Sequence, residues 1–329
     1  MGQVDSRTWK GLAALAGGLT LLLSACGGSS GSSSGASSGA KVTVGVIGFD
    51  ATSPIDEHMA SSSVTQLQSD GYKVLFQNAA GNTGTANQIC QEYTSSHVAA
   101  LAINTFTLSA MATCVAAAKA ANIPMFYEGS PLASGMAGAV DAISPAPVND
   151  LFIKYVVQHK VTNVFTLDYS PGQPCLVRAD LRSNLLLAQA PNVQVTEHQF
   201  PIPGTVADAQ SATASWLEAH PVGAGTYAIW ACQTESSDGA LAALAQAGRT
   251  DVPIFTWDYD QTLYDPIKDG IVLGDLYLDP YGVGKQMAGE ITAWLKGNHT
   301  PKQVEGSTYM LTPSNVVAFV KANPIANQG

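Results

Sequence analysis

The sequence predicts an α/β protein built as two similar lobes, each a doubly wound parallel sheet. Three observations carry that expectation. Strand-like and helix-like segments alternate from Lys41 onward, the repeated βαβ pattern whose right-handed crossovers wind a parallel sheet. The strand-like runs are continuously apolar, as strands covered on both faces are. The series ends near Tyr127 and restarts near Val164, and residues 41–329 are too many for one ordinary core.

Taken in order, Val42-Thr43-Val44-Gly45-Val46-Ile47-Gly48 is the first strand, and Asp50 to Pro54 a polar turn. A helix from Ile55 to Ser69 follows, ended by Asp70-Gly71. Lys73–Phe76 is the second strand, and a helix at Thr85–Ser95 follows the Gly81-Asn82 turn. Ala99–Ile103 and Ile123–Tyr127 read as strands around a helix at Leu108–Ala120. In the second half, Val164–Leu167, Val193–Val195, Tyr227–Trp230 and Pro253–Trp257 read as strands. Val177–Ala190, Ser211–Ala219 and Asp238–Ala247 read as helices, with Gly248 where a helix C-terminal glycine belongs. Sheets of this kind bind ligands outside the carboxyl ends of their strands, so two of them facing each other form a cleft.

Ahead of this lies a different kind of sequence. Arg7 and Lys10 precede an apolar stretch from Gly11 to Leu23, and Leu23-Ser24-Ala25-Cys26 has the form cut before the cysteine in lipoproteins. The stretch is shorter than the ~20 apolar residues of a comfortable bilayer span. Residues 1–25 therefore read as a lipoprotein signal peptide rather than a transmembrane helix, with Cys26 the lipidated residue. Residues 26–40 are a Gly/Ser/Ala tether, too polar and too small to pack. The expected location is outside the cytoplasm, lipid-anchored in the periplasm or on the outer face of the cell membrane.

The formal charge is −10; Asp5, Arg7 and Lys10 together carry +1, so loss of the signal makes it −11. An acidic chain without basic clusters is a poor binder of nucleic acid and of anionic headgroups. Of five cysteines, Cys90, Cys114, Cys175 and Cys232 remain after Cys26. In an exported protein an even remainder points to disulfides with three possible connectivities. The favoured pairs are Cys90 with Cys114, on consecutive helices, and Cys175 with Cys232, in two loops of the second half. Free buried thiols and a zinc site are the alternatives, the latter disfavoured by the lack of any C-x-x-C pair.

Several local phrases, in their order and spacing, resemble the type I periplasmic sugar-binding proteins, the ribose-binding-like receptors of ABC importers. They are Ala121-Asn122-Ile123-Pro124 before a strand, Gly239 to Gly248 followed by Asp251-Val252-Pro253-Ile254, and Asp258 after that strand. The resemblance runs from Lys41 to about Val317. It implies a three-crossover hinge, near Ile143–Pro147, Asp279–Tyr281 and Thr308–Met310, in the periplasmic binding protein-like I fold. The N-terminal lobe would then comprise 41–146 and about 280–308, the C-terminal lobe 147–279 and about 309–329. Hinge crossovers absorb the backbone rotation of closure.

The same resemblance implies the site. Asp258 matches the family's aspartate, and Gln233 stands where an asparagine is common. Phe49 and Asp50 end the first strand, Asn104 follows the third and Glu128 the fourth. Asp168 and Tyr169 occupy the matching end in the second lobe; Trp257 flanks Asp258 and faces either core or cleft. Tyr277 lies near the second crossover, and either Arg178 or Arg182 fills the place of a family arginine. One departure is plain. The family's Asn-Pro-Phe-Phe-like segment is here Ser53-Pro54-Ile55-Asp56, which keeps the proline and loses both aromatics, so the stacking platform is altered or moved and the resemblance does not carry over to ribose itself.

No catalytic set emerges. Gly31-Ser32-Ser33-Ser34-Gly35 spells a nucleophile elbow inside the tether, without its strand–turn–helix setting. Gly282-Val283-Gly284 lacks the third glycine of a dinucleotide loop, and the six histidines form no pair at metal spacing. The expected function is capture of a small polar solute, a sugar foremost, for an ABC permease, by a monomer without cofactor or metal. Nucleosides, amino acids and polyols stay open as cargo. A ligand sensor facing a membrane receptor is the alternative. A surface hydrolase using Glu128 and Asp258 ranks lower, since nothing in the sequence sets two carboxylates at ~5–9.5 Å.

Overall fold

A computed structural model describes residues 41–324. The signal peptide, Cys26 and the tether lie outside the described residues. The chain opens with β1 (Thr43–Gly48), α1 (Pro54–Ser69), β2 (Lys73–Asn78) and α2 (Thr83–Ser95). It continues through β3 (Ala100–Asn104), α3 (Ala112–Ala120), β4 (Met125–Glu128) and β5 (Gly138–Asp141). A second series follows: α4 (Ala146–Gln158), β6 (Asn163–Asp168), α5 (Gln173–Gln189), β7 (Gln194–Gln199) and α6 (Thr205–Ala219). Then come β8 (Tyr227–Ala231), α7 (Thr234–Ala247), β9 (Ile254–Phe255), α8 (Tyr264–Lys268) and β10 (Val272–Leu278). The chain closes with α9 (Pro280–Leu295), β11 (Lys302–Glu305), β12 (Thr308–Leu311) and α10 (Val316–Ala322).

Two six-stranded sheets result, with matching orders: β2-β1-β3-β4-β5-β11 and β7-β6-β8-β9-β10-β12. The first is wholly parallel; in the second only β12 runs antiparallel, against β10. The central strands β3, β4 and β8 are buried at every residue, which is why their sequences are unbroken apolar runs ended by one polar or small residue. The edges β2 and β7 are half-exposed and mix polar with apolar side chains. A clamp of two like lobes is the architecture that the sequence predicts.

Helix starts follow local chemistry. Pro54, Pro174 and Pro280 occupy the first turns of α1, α5 and α9, where a missing N–H costs nothing. Asp279 caps α9, its carboxylate accepting from the Gly282 amide at 3.0 Å. The return of α9 to the first lobe rests on Gly284. A Cβ there would stand 2.3 Å from the Met59 carbonyl, so only glycine lets α9 lie this close to α1.

Departures from the sequence reading have clear causes. The helix expected from Leu108 starts at Ala112, because the Thr107 hydroxyl accepts from the Ala110 amide and closes a turn first. Thr308–Met310, read as a crossover, belongs to β12, and the passage between sheets is Gly306 and Ser307. β5, β10, β11 and β12 go beyond the strands read from sequence. The structure joins Cys90 to Cys114 and Cys175 to Cys232. No helix among the described residues is long and apolar enough to cross a membrane.

Candidate functional site

The carboxyl ends of the two sheets face a common narrow cavity of about 30 Å³. The wall residues come from strand ends, the loops after them and the first two turns of the helices that follow. From the first lobe come Phe49 after β1, Ile55, Asp56 and Met59 on α1, and Thr105 after β3. From the second come Tyr169 after β6, Cys175 and Arg178 on α5, Gln233 after β8 and Asp258 after β9.

The second lobe presents a finished ionic lattice. Arg178, 2% exposed, holds Asp258 through two N–H···O bonds of 2.8 Å each, the fork-on-fork geometry that a guanidinium and carboxylate favour. Two further donors reach the Cys232 carbonyl at 2.9 Å and the Ile143 carbonyl at 3.4 Å. The guanidinium also lies 5.3 Å from the Trp257 ring centre. Asp258 adopts φ 72°, a left-handed conformation that Asp tolerates better than most side chains. The Cys175–Cys232 disulfide ties the start of α5 to the loop after β8. It thereby joins the segment bearing Arg178 to the carbonyl that Arg178 bonds.

The first lobe presents mostly ring and aliphatic surface. Phe49 packs edge-on against Phe106 at 4.7 Å and against Tyr169 of the other lobe at 5.9 Å. Asp56, in the first turn of α1, accepts the Thr105 hydroxyl at 2.8 Å. Burial pushes its carboxyl up to about 7; the Thr105 bond opposes this and Asp258 adds to it. Glu235, in the first turn of α7 and outside the residues that line the cavity, is pushed up to about 8. Burial is the chief cause there, with Asp56 and Asp258 adding repulsion and its own N–H and Ser53 relieving it.

Backbone also joins the lobes at the mouth. The Gln173 amide donates to the Thr105 carbonyl at 2.7 Å, and the Thr107 amide to the Pro171 carbonyl at 3.2 Å. Phe106 and Gly172 thus form an antiparallel bridge. The Tyr169 hydroxyl donates to the Gly81 carbonyl at 3.0 Å, and burial pushes that phenol up to about 12.

Among the residues expected from sequence, Phe49, Tyr169, Arg178, Gln233 and Asp258 line this cavity. The others do not, each for a reason. Asp50 turns back on its own loop, accepting the Thr52 amide at 3.0 Å and the Thr52 hydroxyl at 2.9 Å. Asn104 and Glu128 are fully buried neighbours on β3 and β4, and burial pushes Glu128 up to about 8. Asp168 is consumed by Arg182 at 2.7 Å and by the Thr166 hydroxyl at 2.6 Å. That same bond takes Arg182 from the cavity and leaves Arg178, one helical turn earlier, as the cleft-facing arginine. Trp257 is wholly buried against Trp230, 5.1 Å away, so core wins over cleft. Tyr277 packs on Phe319 at the outer side of the crossovers.

Asp56, Thr105 and Glu235 were not singled out from the sequence. The signal that finds Asp56 and Thr105 is positional: the residue directly after a parallel strand and the first turn of the following helix both lie at the ligand edge.

Facing sheets, a cavity walled from both, and a three-strand passage between lobes define a two-lobed solute-binding protein. The family model for the periplasmic binding protein domain matches residues 44–299, and the chain belongs to that family. No curated protein matches it. Among solved structures it is similar to an ABC transporter solute-binding protein from Agrobacterium vitis with bound allitol. The identity is 21%, the TM-score 0.78, and the match covers 85% of this chain and 98% of the other. A Mycobacterium smegmatis ABC transporter solute-binding protein with bound glycerol gives 23%, 0.73, 85% and 97% in the same terms. A sugar transporter subunit from Rhodobacter sphaeroides gives 20%, 0.76, 83% and 98%. At these identities the likeness shows the fold.

Proposed function

We propose that this protein captures a small polar solute of the sugar or polyol class between its lobes and delivers it to an ABC permease. The lobes would be 41–146 with about 280–308, and 147–279 with the remainder. A lipid on Cys26 and the Gly/Ser tether would keep it beside the membrane, outside the cytoplasm. One observation supports this above others: hydrogen-bonding groups from both lobes converge on one enclosed cavity, Asp56 from one side, Gln233 and Asp258 from the other. A solute touching both sides favours the closed arrangement by its differential affinity, which is all that closure requires. The allitol and glycerol held by the similar structures belong to the same chemical class.

A melting-temperature screen against pentoses, hexoses and linear polyols tests the reading. A solute at a thousand times its Kd adds about 4 kcal/mol to the folded state. A rise confined to one class, and abolished by Asp258→Ala, is the expected result. A flat panel on ligand-free protein would overturn it.

A further inference from the structure

We propose that the cargo is a short acyclic polyol of about three to four carbons, held between Asp56 of one lobe and Gln233 and Asp258 of the other. This rests on the solute-capture reading and narrows its cargo.

The first observation is room. The cavity encloses about 30 Å³. One water needs about 10–15 Å³ of such space, so the walls admit on the order of two or three hydroxyl-sized groups. Ile55, Met59 and Leu278 close the apolar side. At the far side Pro174 of the second lobe reaches over Gly129 of the first, both lining the cavity. Gly129 adopts φ 68°, and a Cβ there would stand 3.4 Å from the Pro174 ring, so the lobes already meet at backbone distance.

The second observation is the orientation of the rings. A pyranose presents a flat C–H side that an open aromatic face would cover. Phe49 instead meets Phe106 and Tyr169 edge-on, at interplanar angles of 63° and 76°. Tyr169 spends a face on Phe200, stacked at 5.6 Å. Both rings are buried, so neither is a platform for a sugar ring. A linear chain needs no such platform.

The third observation is what a wider cargo would undo. Holding the lobes further apart forfeits the Gln173–Thr105 and Thr107–Pro171 backbone bonds and the Tyr169–Gly81 bond. A short cargo leaves all of them intact and adds its own contacts, so closure around it is favoured more. The polar groups at the wall suit a short row of hydroxyls: Asp56 and Asp258 accept, and the Gln233 amide both donates and accepts.

Calorimetric titration of the protein, purified without glycerol, tests this with glycerol, erythritol, ribitol, sorbitol, D-ribose and D-glucose. Glycerol or erythritol is expected to bind at least about tenfold tighter than sorbitol, D-ribose and D-glucose, the scale of overpacking a closed wall. Ile55→Ala and Met59→Ala widen that wall, and each should move the ratio of ribitol to erythritol affinity about fivefold toward ribitol. Ile55 is only half-buried, so its variant keeps the test open if Met59→Ala fails to fold. Sorbitol, D-ribose or D-glucose binding as tightly as the short polyols overturns the short cargo and leaves solute capture standing. An unmoved ratio in the folded variants overturns it as well. Silence from all six compounds does the same, and with the wider sugar and polyol panel also silent, the capture reading falls with it.

Discussion

The two lobes share one strand order and differ at the wall they turn toward the cavity. The second lobe's wall is set in advance: Arg178 is locked to Asp258, to two carbonyls, and across a disulfide-tied loop. The first lobe's wall is rings and aliphatic surface around a single carboxylate, Asp56, whose strongest partner is a neutral hydroxyl. Identical topology thus fixes where site residues stand and leaves their chemistry free. One lobe supplies preorganised polarity, which reduces the ordering cost of binding, and the other supplies apolar cover.

That contrast can be broken most directly at Arg178. Arg178→Ala should cost about 3–5 kcal/mol, because it strands Asp258 in a site too dry for an unpaired charge. Asp56→Asn should cost under about 1 kcal/mol, since the amide keeps a partner for Thr105 and carries no charge. Equal melting-temperature losses in the two variants would erase the distinction between the walls.

The disulfides sharpen the same comparison. Replacing either pair by alanines should cost about 2–4 kcal/mol in chemical denaturation. Only the Cys175/Cys232 replacement should also weaken cargo binding, since Cys175 lines the cavity and the Cys90–Cys114 bridge does not.

Acid–base behaviour comes next. Glu128 titrates at about 8 when folded against a reference of 4.5, so the folded state binds its proton more tightly. The stabilisation it gives is complete below the reference value and is lost as pH rises from there to about 8. Urea midpoints should fall across that window, and Glu128→Gln should flatten the slope. Flattening will be partial, because buried Asp275 in the second lobe, raised by burial and by Asp258, acts in the same direction. An unchanged slope in Glu128→Gln would deny Glu128 its share. The smallest effect is expected from Tyr169→Phe, which removes one hydrogen bond between lobes and about 1 kcal/mol.

Much of this fold was legible because its central strands are buried on both faces. Val44–Ile47 and Tyr227–Trp230 can be little else than inner strands of covered sheets. β11 and β12 were illegible because Lys302–Glu305 and Thr308–Leu311 are short edge strands with exposed polar residues, whose partners lie far away in sequence. β10 hides for another reason: Gly274 and the buried Asp275 interrupt its apolar run. At the site, strand-end position alone nominated Asp50, Asn104, Glu128 and Asp168, but not which way each side chain turns. Asp168 and Arg182 satisfy each other out of the cleft, a pairing set by helix register on a folded sheet. Asp56 stood in the sequence only as the place of a lost aromatic.

The backbone bridge at the mouth has a consequence for timing. Its two hydrogen bonds, between residues 105–107 and 171–173, use main-chain groups alone and require no cargo to form. The latch predicts that an empty molecule spends part of its time shut, which would tax apparent affinity by the fraction so occupied. Entry then waits for the latch to lift. At high solute concentration the loading rate should level off at the opening rate instead of climbing, and the receptor becomes a metered gate rather than an open basket.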